Sequence, residues 1–216
     1  ALLMASAREL KRMDLATTSG RWGEVYSRSI LKRIYGETVG IVGFGWIGRA
    51  MARKCKALGM SVLVNDPYVG EHLAIEYGVE FVSKSDLLEH SDYVTLHVPH
   101  LGNTHHYIDA DALDRMKTSS YLINTSRGPV VDEQALISAM KSNKIAGAGI
   151  DVFEQEPLSV DNPLLNMENV ICTPHVAGSS KIGWEIIRRR AGEEAARVLR
   201  GERPHTVVNP EVLGRL

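Results

Sequence analysis

The chain has 216 residues, 25 basic against 26 acidic side chains, and 44% hydrophobic residues. That near-neutral balance leaves no electrostatic footprint for nucleic acid, and no apolar run reaches the length of a membrane span. The size suits one large domain or a domain with appendages. The two cysteines, Cys55 and Cys172, fall in a helix pattern and a strand pattern, which reads as free buried thiols in a reducing cytosol. Residues 1–14 carry Arg8, Lys11 and Arg12 after their apolar start rather than before it, which is not a secretory signal pattern. The expected location is therefore cytoplasmic.

In chain order, residues 1–14 predict one helix with Leu2, Leu3, Ala7 and Leu10 on or near one face. Residues 15–36 have no strong period and hold Gly20, Trp22, Gly23 and Tyr26. Such a stretch reads either as an arm reaching a partner subunit or as a loop folded on its own domain. Residues 38–66 then give an apolar run, a glycine turn, a helix pattern, a second apolar run and an acid. The glycines Gly43, Gly45 and Gly48 form G-x-G-x-x-G. Gly43 permits a tight turn, Gly45 lets a pyrophosphate approach the backbone, and Gly48 lets the helix pack on the strand. Amides near Trp46 and Ile47 then sit at a helix N-terminus that favours an anion. Asp66 closes the second run, where a carboxylate accepts ribose hydroxyls and repels a 2′-phosphate. The bland alternative is a glycine-rich turn of a parallel sheet with no ligand.

Further on, helices are predicted near 71–77, at 84–90, 109–117 and 132–143, the last with Asp132 as N-cap and Ala135, Leu136, Ala139 and Met140 inward. Strands are predicted near 79–82, at 92–98, 120–124 and 145–153, and within 169–176. A long helix over 179–200 ends at Gly201. The alternation implies an α/β fold, a doubly wound parallel sheet of about seven strands with right-handed crossovers. The division is a helix and arm at 1–36, a dinucleotide-binding Rossmann domain at 37–178, and a helix and tail at 179–216.

Ligands of such sheets lie beyond the carboxyl ends of the strands. Three of those endings carry unusual groups. Arg127 follows a buried strand and precedes Gly128, and its planar fork suits a carboxylate. Asp151 and Glu156 lie beyond the next strand. His175 follows the last one, between Pro174 and Gly178. Each alone has a structural reading: an ion pair, an exposed acidic loop, a packed histidine. Together they stand on the side of the sheet that carries the dinucleotide motif. The histidines His100, His105 and His106 have no carboxylate or cysteine cluster at ligand spacing, so no metal site is expected.

The stretches TVGIVGFGWIGRAMA, VNDPY, INTSRGPVVDEQAL, AGAGIDVFEQEPL and NVICTPHVAG closely resemble the cofactor-binding part of the D-isomer-specific 2-hydroxyacid dehydrogenases. The resemblance covers most of residues 37–180. It implies NAD as cofactor and a small 2-hydroxy or 2-oxo acid as substrate. It implies that Arg127 binds the substrate carboxylate and that His175 exchanges a proton with the substrate oxygen. It implies that Glu156 holds the imidazole and favours its protonated form, and that Asp151 faces the nicotinamide carboxamide. Val98, Pro99, Thr125 and Ser126 are implied to contact the cofactor, largely through backbone, with Gly178 close to the nicotinamide end. A homodimer through the cofactor domain is implied as well.

The chain departs from the family pattern in places. Trp46 stands where an arginine is often found, a small change if backbone amides hold the phosphates. The expectation is a chain without the substrate domain that normally precedes the cofactor domain, and the tail at 205–213 resembles a segment that docks on it. The expectation is NAD binding with poor turnover by this chain alone. A reading of a different class is a non-enzymatic, NAD(H)-responsive module, since one relative of the family acts as a corepressor.

Overall fold

The computed structural model describes residues 1–23, 31–70 and 72–214. Strands β1 (Thr38–Val42), β2 (Ser61–Asn65), β3 (Glu80–Phe81), β4 (Tyr93–Leu96), β5 (Tyr121–Asn124), β6 (Gly147–Ile150) and β7 (Val170–Cys172) form one sheet in the order β3-β2-β1-β4-β5-β6-β7. Every pairing is parallel. In register, Gly40 of β1 faces Leu63 on one side and Val94 on the other. β4, β5 and β6 are buried along their whole length, as expected of a sheet covered on both faces.

Apolar residues divide into two cores, one per face. One gathers Leu87 and Leu88 of α5 (Lys84–His90), Leu113 of α6 (Ala110–Arg115), and Leu136 and Met140 of α7 (Glu133–Lys141). The other gathers Leu3 and Ala7 of α1 (Leu2–Ala7), Ala52 and Cys55 of α3 (Trp46–Ala57), and Leu73 of α4 (His72–Tyr77). Each fully buried Leu or Ile contributes about 1.5–3 kcal/mol. Ser83, Asp109 and Asp132 cap α5, α6 and α7 by accepting backbone amides. The small residues of β6 have a direct reason. A Cβ on Gly149 would lie 3.1 Å from Leu2 Cβ and from Ser6 Oγ, a tight contact, so glycine lets α1 pack close on this strand.

The single helix expected over 1–14 is two. Glu9 has φ 46° and separates α1 from α2 (Leu10–Thr18), leaving Leu10 53% exposed. The break lets α1 lie on β6 while Lys11 turns its ammonium to the carbonyls of Leu165, Met167 and Val170, at 3.0, 2.7 and 2.9 Å. Of the expected irregular arm, residues up to Thr18 are helical, and Tyr26 lies outside the described residues. Trp22 is exposed.

The chain forms two compact units, Ala1–His175 and Val176–Leu216. The second holds α8 (Lys181–Leu199), capped by Ser180, whose hydroxyl accepts the Gly183 amide at 3.0 Å. It stops before Gly201, which has φ +73°. None of its helical residues is buried.

Candidate active site

Parallel strands place every loop after a C-terminal strand end along one edge of the sheet. The order reverses between β1 and β4, which opens a crevice there. Gly43 has φ +89°, and a Cβ on it would lie 2.6 Å from the His97 carbonyl oxygen in the loop after β4. A Cβ on Gly48 would lie 2.1 Å from the Gly43 carbonyl oxygen, so only hydrogen lets α3 start this close to the strand. Gly45 is open, with nothing within 4 Å of its would-be Cβ. It is also the N-cap of α3 and offers the first helical amides no side-chain acceptor. Those amides, with the helix dipole, suit a phosphate. The side chains of Trp46 and Ile47 at this helix start are 89% and 68% exposed, so they leave the backbone approachable.

Asp66 follows β2. Its Oδ2 accepts the Phe44 amide at 2.7 Å and its Oδ1 the Tyr68 amide at 2.9 Å. The carboxylate is thus fixed against the glycine turn, and each oxygen keeps a lone pair for a ribose hydroxyl. A cavity of 330 Å³ lies here, lined by Gly43, Gly45, Asp66, Tyr68, Val98 and Pro99 among others. An open glycine, a fixed acid and uncapped helical amides around one crevice fit a dinucleotide.

Sequence reasoning missed part of this wall. Thr104 donates its hydroxyl to the Pro99 carbonyl at 2.6 Å and accepts the Leu101 amide at 2.7 Å, stapling the loop after β4. Tyr107 donates to Asn65 Oδ1 at 2.6 Å, joining that loop to the end of β2. A threonine three residues past the amide it caps was a local signal. His97 also lines the cavity. Burial pushes its pKa down to about 4, and its Nε2 pairs with Thr95 Oγ1 at 3.1 Å.

After β5 the chain makes a locked turn. Asn124 accepts both the amide and the hydroxyl of Ser126, at 3.0 and 2.9 Å, and donates to the Arg127 carbonyl at 3.0 Å. Ser126 is therefore committed inward by its side chain, and Thr125 is half-buried. Arg127 is exposed, its Nη1 donating to the Ser126 carbonyl at 2.6 Å.

Beyond β6 and β7 the two loops are tied together. Asp151 is 1% exposed and accepts the Thr173 hydroxyl, while its carbonyl accepts the His175 amide at 2.8 Å. His175 has φ 54°, an uncommon conformation for a non-glycine residue. Its Nδ1 lies 2.7 Å from Glu156 Oε2, and Glu156 Oε1 accepts the Phe153 amide at 3.0 Å. Burial pushes the Glu156 carboxyl up, but the His175 hydrogen bond, the Phe153 amide and the imidazole charge outweigh it, and the net shift is downward. The pair borders a 630 Å³ cavity lined by Phe153, Leu158, Leu165 and Cys172, among others.

The predicted residues thus fall into three groups. Gly43, Gly45, Gly48, Asp66, Val98 and Pro99 gather at the crevice. Asp151, Glu156 and His175 gather beyond β6 and β7. Thr125, Ser126 and Arg127 stand on the turn after β5, the strand between β4 and β6, and no hydrogen bond joins Arg127 to the acid–imidazole pair. Gly178 belongs to the second unit. The carboxylates that spacing denied to the histidines are supplied by the fold: His106 Nε2 lies 2.7 Å from Glu154 Oε1, and its Nδ1 3.8 Å from Asp132 Oδ2.

Fold and site define a dinucleotide-binding α/β domain with an acid–imidazole pair on its ligand edge. Residues 1–177 match the profile of the D-isomer specific 2-hydroxyacid dehydrogenase, NAD binding domain, and the chain belongs to that family. NAD is accordingly its cofactor. The chain is 45% identical over 215 residues to a glyoxylate reductase of Korarchaeum cryptofilum, covering 99% of this chain and 65% of that protein. It is 37% identical over 221 residues to a D-3-phosphoglycerate dehydrogenase of Methanocaldococcus jannaschii, covering 100% of this chain and 42% of that protein. The crystal structure of D-lactate dehydrogenase with NAD+ from Lactobacillus jensenii superposes with a TM-score of 0.86 at 30% identity, covering 96% of this chain and 66% of that one. The chain therefore spans less than two-thirds of each of these relatives.

Proposed function

We propose that this chain is the cofactor-binding part of an NAD-dependent oxidoreductase that interconverts a D-2-hydroxy acid and its 2-oxo acid. The observation that carries the reading is the 2.7 Å contact between Glu156 and His175, on the sheet edge that also holds the glycine turn and Asp66. The glycine turn and the amides opening α3 hold the pyrophosphate, and Asp66 holds the adenosine ribose. Bound NADH supplies a hydride for C2 of the acid. With Nδ1 held by Glu156, the imidazole presents Nε2 to the substrate oxygen and gives it a proton as that oxygen gains charge. The ionised Glu156 fixes the tautomer and stabilises the imidazolium. Arg127, permanently charged and exposed, pairs with the substrate carboxylate. Asp151, held by Thr173, would help hold the carboxamide end of the nicotinamide.

The same reading makes the protein cytoplasmic and dimeric through this domain. Free Cys55 and Cys172 support the first, and the exposed Trp22 supports the second. Among the described residues no helix is long and apolar enough to cross a membrane.

His175→Asn tests the core of the reading, because asparagine tolerates the backbone angle that His175 adopts. In the full-length gene product, reduction of 2-oxo acids, glyoxylate among them, falls about 100- to 10,000-fold, the usual contribution of a general acid. NADH affinity, read by fluorescence titration, stays near wild type. Equal loss of both would make His175 a structural residue. Undiminished turnover would remove His175 from the chemistry, and tight NADH binding by a wild-type protein inert to every 2-oxo acid tried would favour the non-enzymatic module.

A further inference from the structure

We propose that His106, Asp132 and Glu154 form a binding site for a divalent cation of the zinc class, separate from the coenzyme crevice. One imidazole nitrogen and one oxygen from each carboxylate all lie within 4.8 Å of one another. Ligands about 2.0–2.2 Å from a tetrahedral zinc are separated by about 3.3 Å. An ion takes one ring nitrogen: His106 Nδ1 lies 3.8 Å from Asp132 Oδ2, near that separation, and the exposed Glu154 carboxylate, now 2.7 Å from Nε2, would turn to the same ion. One nitrogen and two oxygens suit zinc or a neighbouring first-row ion, with water completing the shell.

Charge points the same way. Asp132 and Glu154 are joined by Glu133, whose Oε2 accepts the Glu154 amide at 3.2 Å while Glu154 Oε1 accepts the Glu133 amide at 3.2 Å. Among the described residues no lysine or arginine forms an ion pair with any of these three carboxylates, and His106 is their one titratable basic partner. The N-terminus of α7 offsets part of this charge, but Asp132 uses Oδ1 to cap the Ala135 amide and keeps Oδ2 toward His106. His106 reaches the acids from a left-handed backbone, φ 47°, with its amide donating to the Pro129 carbonyl at 2.8 Å. A non-glycine residue held in that conformation needs support from its surroundings. The ligands come from three segments: the loop after β4 that walls the crevice, the start of α7, and the loop after β6 that carries Glu156. A bound ion therefore clips together the supports of both halves of the site.

The test uses zinc itself. After chelator treatment and dialysis, calorimetric titration with Zn2+ saturates at one ion per chain, and Co2+ gives the visible bands of a tetrahedral site. His106→Asn, which keeps the left-handed backbone accessible, and Glu154→Gln each weaken Zn2+ binding at least about tenfold, since loss of even an outer partner costs that much. A paired His100→Gln and His105→Gln variant binds as wild type. Melting temperature without metal and NADH affinity report that each variant is folded, and neither depends on turnover. Absence of saturable Zn2+ binding would overturn the proposal. So would binding that survives in both His106→Asn and Glu154→Gln, or that is lost only with His100 and His105.

Discussion

Replacing Gly128 with alanine should disable the site without emptying the crevice. Gly128 follows Arg127 directly, and a Cβ on it would lie 1.8 Å from the Phe153 carbonyl oxygen, 2.0 Å from its carbon and 2.6 Å from the Glu154 nitrogen. All three atoms are backbone, so no side-chain rotation relieves the overlap. Restoring an ordinary contact of 3.4 Å requires the two loops to separate by about 1.6 Å (3.4 − 1.8). The Phe153 amide holds Glu156, and Glu156 holds His175, so the displacement passes to the imidazole. Overpacking of this kind costs about 1–3 kcal/mol of stability, which urea denaturation measures. A misplacement of about 1 Å at reacting groups costs about 100-fold in rate. The full-length gene product carrying Gly128→Ala should therefore lose about 100-fold in kcat for a 2-oxo acid. NADH affinity should hold, because Gly128 does not line the crevice beside Asp66. Wild-type kcat together with an unchanged denaturation midpoint would refute the reasoning.

Two further outcomes follow from single side chains. Burial holds the His97 pKa at about 4 against an ordinary 6.5, so between those values the unfolded chain binds a proton that the folded chain does not, and stability falls as pH drops through that window. The full difference is at most about 3 kcal/mol, and about half is expected for a half-buried ring; in urea titrations at pH 7 and pH 4.5 the variant His97→Asn should lack this component, and an identical pH response would refute it. Asp66→Ala removes a carboxylate held by two amides, so NADH affinity should fall about tenfold or more while the preference over NADPH shrinks; equal NADH affinity in the two proteins would place the ribose elsewhere.

What the sequence made visible was whatever the chain settles locally. Strand, glycine turn and helix succeed one another within residues 38–66, and the same alternation set the strand count and the capping role of Asp132. The break at Glu9 was invisible because no glycine or proline marks it. It exists because α1 docks on Gly149 while Lys11 bonds Leu165, Met167 and Val170, more than 150 positions away. Ser126 shows a tie that the strand pattern does not reveal. Asn124, two residues earlier, draws its amide and hydroxyl inward.

The site residues divide by the same logic. In a parallel sheet every strand end meets one edge, so position after a strand is a long-range coordinate that can be read from a local pattern. This is why strand-end position singles out Asp66, Asp151 and His175 as candidates although they come from different strands. Spacing rules for metal ligands lack such a coordinate. They register neighbours on one helix or in one loop, and His106 lies 48 positions from Glu154. Yet Glu154 follows β6, Asp132 follows β5, and His106 lies in the connection after β4, so strand-end position places all three on adjacent loops. The coordinate that located the acid–imidazole pair therefore also locates this second cluster, and the histidine-rich stretch at 100–106 looked unaccompanied only because separation was counted along the chain instead of across the sheet.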